Sequence, residues 1–141
     1  MGSAGVRLAF CHADLKHESN GEIETMVDTA GKKFDADMEH CIDACTRTHE
    51  VALTVSGHAL RHGGDENSSH LIRVLSDCVE MCQTAANFML RGSPNHRKTC
   101  GLNAEICRQV VRECEKFDDE PMNKMASVAT ECAESCEKMA A

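Results

Sequence analysis

Cysteine recurs along this chain at helical intervals, and thiols spaced that way can share a soft metal ion. Cys41/Cys45, Cys78/Cys82 and Cys132/Cys136 are CxxxC pairs, while Cys100, Cys107 and Cys114 follow one another every seven residues. Residues four apart on a helix occupy one face on adjacent turns, so each CxxxC pair presents two sulfurs side by side. Thiolates select Cu(I) or Zn(II), and a nearly all-sulfur environment with few histidines favours the softer Cu(I). Structural zinc more often shows CxxC pairs converging on one site. His49, one turn beyond Cys45, either extends that row of ligands or is a boundary histidine. The candidate metal ligands are therefore Cys41, Cys45, Cys78, Cys82, Cys100, Cys107, Cys114, Cys132, Cys136 and His49. Cu(I) is the expected ion, with Zn(II) second.

Any one of these cysteines has a plainer explanation, since free Cys is among the most buried residue types and packs as a small hydrophobe. Repetition argues against that for the set. Cysteines scattered by chance would also fall on outer faces, whereas nine of the ten fall on inward seams. Heptad thiols stand about 10 Å apart along a helix, too far to share an ion, so each needs a CxxxC pair from a neighbouring helix. Cys114 is the rung with the fewest partners.

The elements that carry these residues follow from the hydrophobic period. Met38, Cys41, Cys45, Thr48, Ala52, Val55, Ala59 and His62 repeat a 3-4 spacing from about Ala36 until Gly63-Gly64 stops it. A second seam runs Leu71, Leu75, Cys78, Cys82, Ala85, Met89 to Gly92, with Ser68 or Ser69 as its expected N-cap. Ser93-Pro94 provides a cap and first-turn proline for a third helix reaching about Phe117. Its expected seam is Cys100, Ala104, Cys107, Val111, Cys114, which leaves Asn103, Glu105, Arg108, Arg112 and Glu113 largely outside. Asp118-Asp119-Glu120-Pro121 restarts the chain into a fourth seam of Met122, Met125, Ala129, Cys132, Cys136 and Met139. Short connections between long helices predict an all-α, antiparallel up-down-up-down four-helix bundle over residues 36–141. Residues 1–35, which include Cys11 and His12, read as an N-terminal arm with at most a short helix.

Composition narrows the function further. A net charge of -8 opposes binding to a nucleic-acid backbone, which needs a basic face. No apolar run approaches the roughly 20 residues of a membrane span, and the N-terminus lacks the charged-then-apolar order of a secretory signal. The expected setting is cytoplasmic and reducing, where ten cysteines mean free thiols or metal thiolates. With 141 residues but four Phe and neither Trp nor Tyr, the interior must be filled by slender side chains. No nucleophile-base-acid arrangement or phosphate-binding Gly loop is present, so no catalytic residue is named. The Glu-x-x-His motif of di-iron bundles is also missing.

CIDAC (Cys41 to Cys45), CVEMC (Cys78 to Cys82), the Cys100/Cys107/Cys114 helix and the closing Cys132-Ala-Glu-Ser-Cys136 together resemble the cysteine-rich four-helix-bundle copper storage family. The resemblance covers residues 36–141. It implies Cu(I) ions held along the bundle interior by cysteine thiolates, a cytosolic branch without export signal, and assembly as homotetramers. Ala52, Ala59, Ala85, Ala104, Val111 and Ala129 stand at seam positions where the best-equipped members carry cysteine, implying a lower capacity. The competing reading is a structural or redox-responsive bundle whose cysteines are core filler or form disulfides. His58, His62, His70 and Met125 either rim a mouth for metal entry or, for the histidines, simply mark exposed helix ends.

Overall fold

The computed structural model describes residues 34–141; the expected arm, with Cys11 and His12, lies outside the described residues apart from Phe34 and Asp35. Four helices follow: α1 (Ala36–His62), α2 (Glu66–Leu90), α3 (His96–Cys114) and α4 (Glu120–Ala140). Among the described residues, no helix is long and apolar enough to cross a membrane.

Aspartate starts three of the four helices. The carboxylates of Asp35, Asp65 and Asp119 accept from the backbone N–H of Met38, Ser68 and Met122 at 2.8, 2.8 and 2.9 Å. Each satisfies a donor that has no partner within the helix. Two expectations are corrected here. The cap of α2 is Asp65, not Ser68 or Ser69, because the helix begins earlier and Ser68 supplies the N–H being capped. Ser93-Pro94 forms a turn ahead of α3 instead of its first turn, with the Asn95 N–H donating to Ser93 Oγ at 3.2 Å.

Helix α1 ends tightly at Gly63, whose N–H donates to the Ala59 carbonyl at 2.6 Å. A Cβ at Gly63 would lie 2.7 Å from Ser68 Cβ, so a side chain there would force the α1–α2 connection apart. At the other end of α2, Gly92 takes φ 64°, the left-handed conformation that glycine adopts without steric cost.

Helix α1 packs against α2 and α4, and α3 packs against the same two, while the diagonal backbones do not approach each other. Partners run in opposite directions. From α1 to α4, Cys41 meets Cys136, Thr48 reaches the Val128 carbonyl, and His58 faces Asp119. From α2 to α3, Met89 meets Cys100 and Cys82 meets Asn103. The bundle is therefore antiparallel throughout. This register divides the core along its length. Leu71, Leu75, Ala52, Val55, Val110, Met122 and Met125 fill the half nearest Gly63, all buried, and every described thiol except Cys114 lies in the other half.

Candidate metal centre

All nine described cysteines are free and buried. Eight of them meet because each helix directs its seam inward. On the α1/α4 side, Cys136 Sγ lies 3.5 Å from Cys41 Sγ and 3.6 Å from Cys45 Sγ. Cys132 Sγ lies 3.7 Å from Cys45 Sγ. Cys100 approaches these sulfurs from α3, and its thiol donates to Met89 Sδ at 3.8 Å. On the α2/α3 side, Cys78 and Cys82 Sγ stand 3.8 Å apart, and Cys107 Sγ lies within 4.8 Å of both.

Two three-thiol groups have ligand atoms all within 4.8 Å of one another: Cys41/Cys45/Cys136 and Cys78/Cys82/Cys107. An ion at the centre of a sulfur triangle of about 4 Å edge lies about 2.3 Å from each corner, the length of a zinc–thiolate bond. The sulfurs thus stand close to bonding geometry before any ion arrives. A three-sulfur group suits Cu(I) better than structural zinc, which closes a tetrahedron of four ligands.

The buried thiols perturb one another in both directions. The neighbouring Cys100 thiol holds Cys41 and Cys136 below their ordinary range, and the neighbouring Cys107 thiol does the same for Cys78 and Cys132. Cys45, Cys107 and Cys100 are pushed the other way, by their thiol neighbours first and by burial second.

Cys114 stands apart. It is buried and belongs to neither three-thiol group. Desolvation in the apolar half pushes its thiol up to about 12. His49 is also in neither group; its Nδ1 donates to the Val79 carbonyl on α2 at 2.9 Å, fixing the ring at the α1/α2 boundary. At the far end, the His58 and His62 rings lie 4.7 Å apart. His58 Nε2 is 3.5 Å from Asp119, and His70 Nε2 is 3.5 Å from Glu113.

The expected seam of α3 needs correction. Asn103 is fully buried, and the inward line runs Cys100, Asn103, Cys107, Val110, Cys114, with Ala104 beside it and Val111 only half-buried. Heptad thiols fit a 3-4 and a 4-3 phase equally. Polarity made Asn103 look external, but sulfur satisfies its amide. Nδ2 donates toward Cys45, Cys132 and Cys136 at 3.5, 3.5 and 3.4 Å. Oδ1 accepts from Cys82 at 3.5 Å and from Cys107 at 4.0 Å. A polar residue midway between two heptad cysteines was the available signal.

Comparison with known proteins places this geometry. The cysteine-rich protein YhjQ of Bacillus subtilis (strain 168) is 31% identical over 103 residues, covering 73% of this chain and 95% of the relative. The crystal structure of Nmul_A1745 from Nitrosospira multiformis is 37% identical, covers 76% of this chain and 97% of its own, and superposes with a TM-score of 0.70. The Cu(I)-bound copper storage protein BsCsp3 is 30% identical, covers 74% and 99% of the two chains, and also gives a TM-score of 0.70. Residues 28–141 match the family described as copper storage protein, and with four helices converging their thiols on one core, the chain belongs to that family.

Proposed function

We propose that this protein takes up and stores Cu(I) as a thiolate-bound cargo in the bundle core. The observation that carries this reading is the convergence of eight buried thiols, as two three-sulfur groups and the two cysteines beside them. Cys41, Cys45 and Cys136 form one set of ligands, joined by Cys100 and Cys132. Cys78, Cys82 and Cys107 form the other. Cys114 and His49 belong to the ligand set only in a wider sense, since each would have to extend one of these groups. Binding replaces thiol protons by metal, so uptake releases protons and the number of thiols sets the capacity. Zn(II) is the second candidate ion, disfavoured by the three-sulfur groups.

The role is storage without catalysis: among the described residues, thiols, aliphatic side chains, methionines and one amide line the core. Free thiols in this number suit a reducing cytoplasm, and residues 1–35 act as an arm outside a storage domain of residues 36–141. Assembly as a homotetramer accompanies the family resemblance, and the exposed Leu53, Leu60 and Leu102 offer apolar surface for contacts between copies.

The test is an anaerobic titration of the reduced, metal-free protein with Cu(I) against a cuprous chelator. Several tightly held ions per chain are expected. One ion or none would overturn storage, and preferential retention of Zn(II) would overturn the choice of copper. Loss of free thiols in the isolated protein without bound metal would favour the redox-responsive reading.

A further inference from the structure

The outer face of α1, away from the thiol groups, carries features that a single bundle does not use. Leu53 and Leu60 stand seven residues apart on one side of the helix and are 52% and 68% exposed. Between them lies Gly57, although glycine weakens a helix interior relative to alanine. Nothing in the bundle requires it, because a Cβ at Gly57 would meet only the flexible tip of Arg61, with Nη1 at 3.4 Å. Glu50 and Arg61 are both exposed and have no ion-pair partner among the described residues.

We propose that this face of α1 is the docking surface for a second copy of the chain, the two α1 helices lying antiparallel across a two-fold axis beside Gly57. This rests on the reading that copies of the chain assemble, and it names the face and the register. Successive residues turn by about 100° around a helix. That places Leu53 and Leu60 on the α2 flank of Gly57, where Leu60 shares a hollow with Ile72, and Glu50 and Arg61 on the α4 flank, where Glu50 shares one with Pro121 and Lys124. A two-fold axis running across the helices reverses their direction and sets like flanks together, so each contact is made twice.

In that register Leu53 lies opposite the second copy's Leu60, beside a hollow of about 200 Å³ that Leu60, Gly63 and Ile72 help to line. Arg61 falls within two residues, about 3 Å of helical rise, of the second copy's Glu50. Glycine at the crossing lets the backbones approach closely, and a larger side chain would hold them apart. Self-complementary charge favours this occupant. A uniformly acidic or basic partner would set one of Glu50 and Arg61 against its own sign.

The test is sedimentation velocity of the full, reduced, metal-free chain over a range of concentrations, with circular dichroism confirming that each variant is folded. The wild type is expected to sediment as an assembly of copies. Gly57→Leu and Leu60→Glu, both at positions with room in the single bundle, should each halve its mass or reduce it further. Glu50→Arg and Arg61→Glu should each weaken association at least about tenfold by setting like charges together at both ends of the contact. Combining the two reversals in one chain should restore association. An unchanged mass in the folded Gly57→Leu and Leu60→Glu variants, or a double reversal no better than the single ones, would overturn this face while leaving assembly in place. A monomeric wild type would overturn assembly and face together. Storage is tested separately, by the Cu(I) titration.

Discussion

Cys41 and Cys136 bring their sulfurs to 3.5 Å although they lie 95 residues apart in sequence, on the first and last helices. Cys136 Sγ also lies 3.6 Å from Cys45 Sγ, so this one sulfur contacts both thiols of the α1 pair. Replacing it should damage uptake more than replacing a cysteine with no such contact.

That contrast is directly measurable. Cys136→Ser should lower the Cu(I) stoichiometry by at least one ion, whereas Cys114→Ser should leave the number in the two three-thiol groups unchanged. Equal losses in the two variants, read by metal analysis after gel filtration, would contradict the placement of Cys114 outside the groups.

Capacity should also rise on demand. Ala85 and Ala129 are fully buried, each three residues from a core cysteine, Cys82 and Cys132 respectively. Ala85→Cys or Ala129→Cys adds one sulfur to the thiol-bearing half, at a packing cost of about 1–3 kcal/mol for an enlarged core residue. Each variant should take up more Cu(I) than the wild type in the same chelator titration.

Removing the cargo should soften the fold. A ligand that binds only the native state stabilises it by an amount that grows with the logarithm of its free concentration over Kd, about 4 kcal/mol at a thousandfold excess. The loaded protein is therefore expected to melt at higher temperature than the same sample stripped with chelator, followed by circular dichroism at 222 nm. Identical melting curves would mean that ions sit outside the core.

Alkaline pH should destabilise the metal-free protein. Burial holds Cys114 protonated up to about 12, against an ordinary value of 9.0. The unfolded chain then carries fewer protons than the native one between these values. Stability from this thiol is complete below pH 9 and is lost as pH rises toward 12, by about 1.4 kcal/mol per pH unit at most. Urea unfolding under reducing conditions at pH 8 and pH 10.5 should show a smaller loss in Cys114→Val than in the wild type.

The apolar half provides the complementary result. Leu75→Ala opens a cavity among fully buried neighbours and should cost about 2–5 kcal/mol in urea unfolding. Its Cu(I) stoichiometry, measured below the unfolding transition, should match the wild type.

Much of this architecture was legible in the sequence because helices announce themselves by period. The ends of α1 and α4 followed from Gly63-Gly64 and Asp119-Glu120-Pro121, whose conformational demands are local. The CxxxC pairs lay on the core seams for the same reason. Phase was harder to read. Cys100, Cys107 and Cys114 fix a stripe but not which flank of it is inward, and that choice depends on α2 and α4 approaching from both sides. Asn103 fell on the wrong side of the choice because polarity argues for water unless partners are known, and four of its five partners lie on the other three helices. Asp65 was missed as a cap because Ser68 and Ser69 are themselves good capping residues.

The pairing of α1 with α4 through Cys41, Cys45 and Cys136 has a consequence for how the chain comes apart. An ion held by these sulfurs would button the two ends of the bundle together, closing a loop that spans most of the folded sequence. Long-range closure is the slowest kind of contact to form, and its entropy is recovered only when the tie is cut. Fraying from either terminus would then be blocked while the ion remains. The loaded protein should open as a closed ring does, all at once or at its middle turn, and proteolysis should report this as protection of both outer helices together.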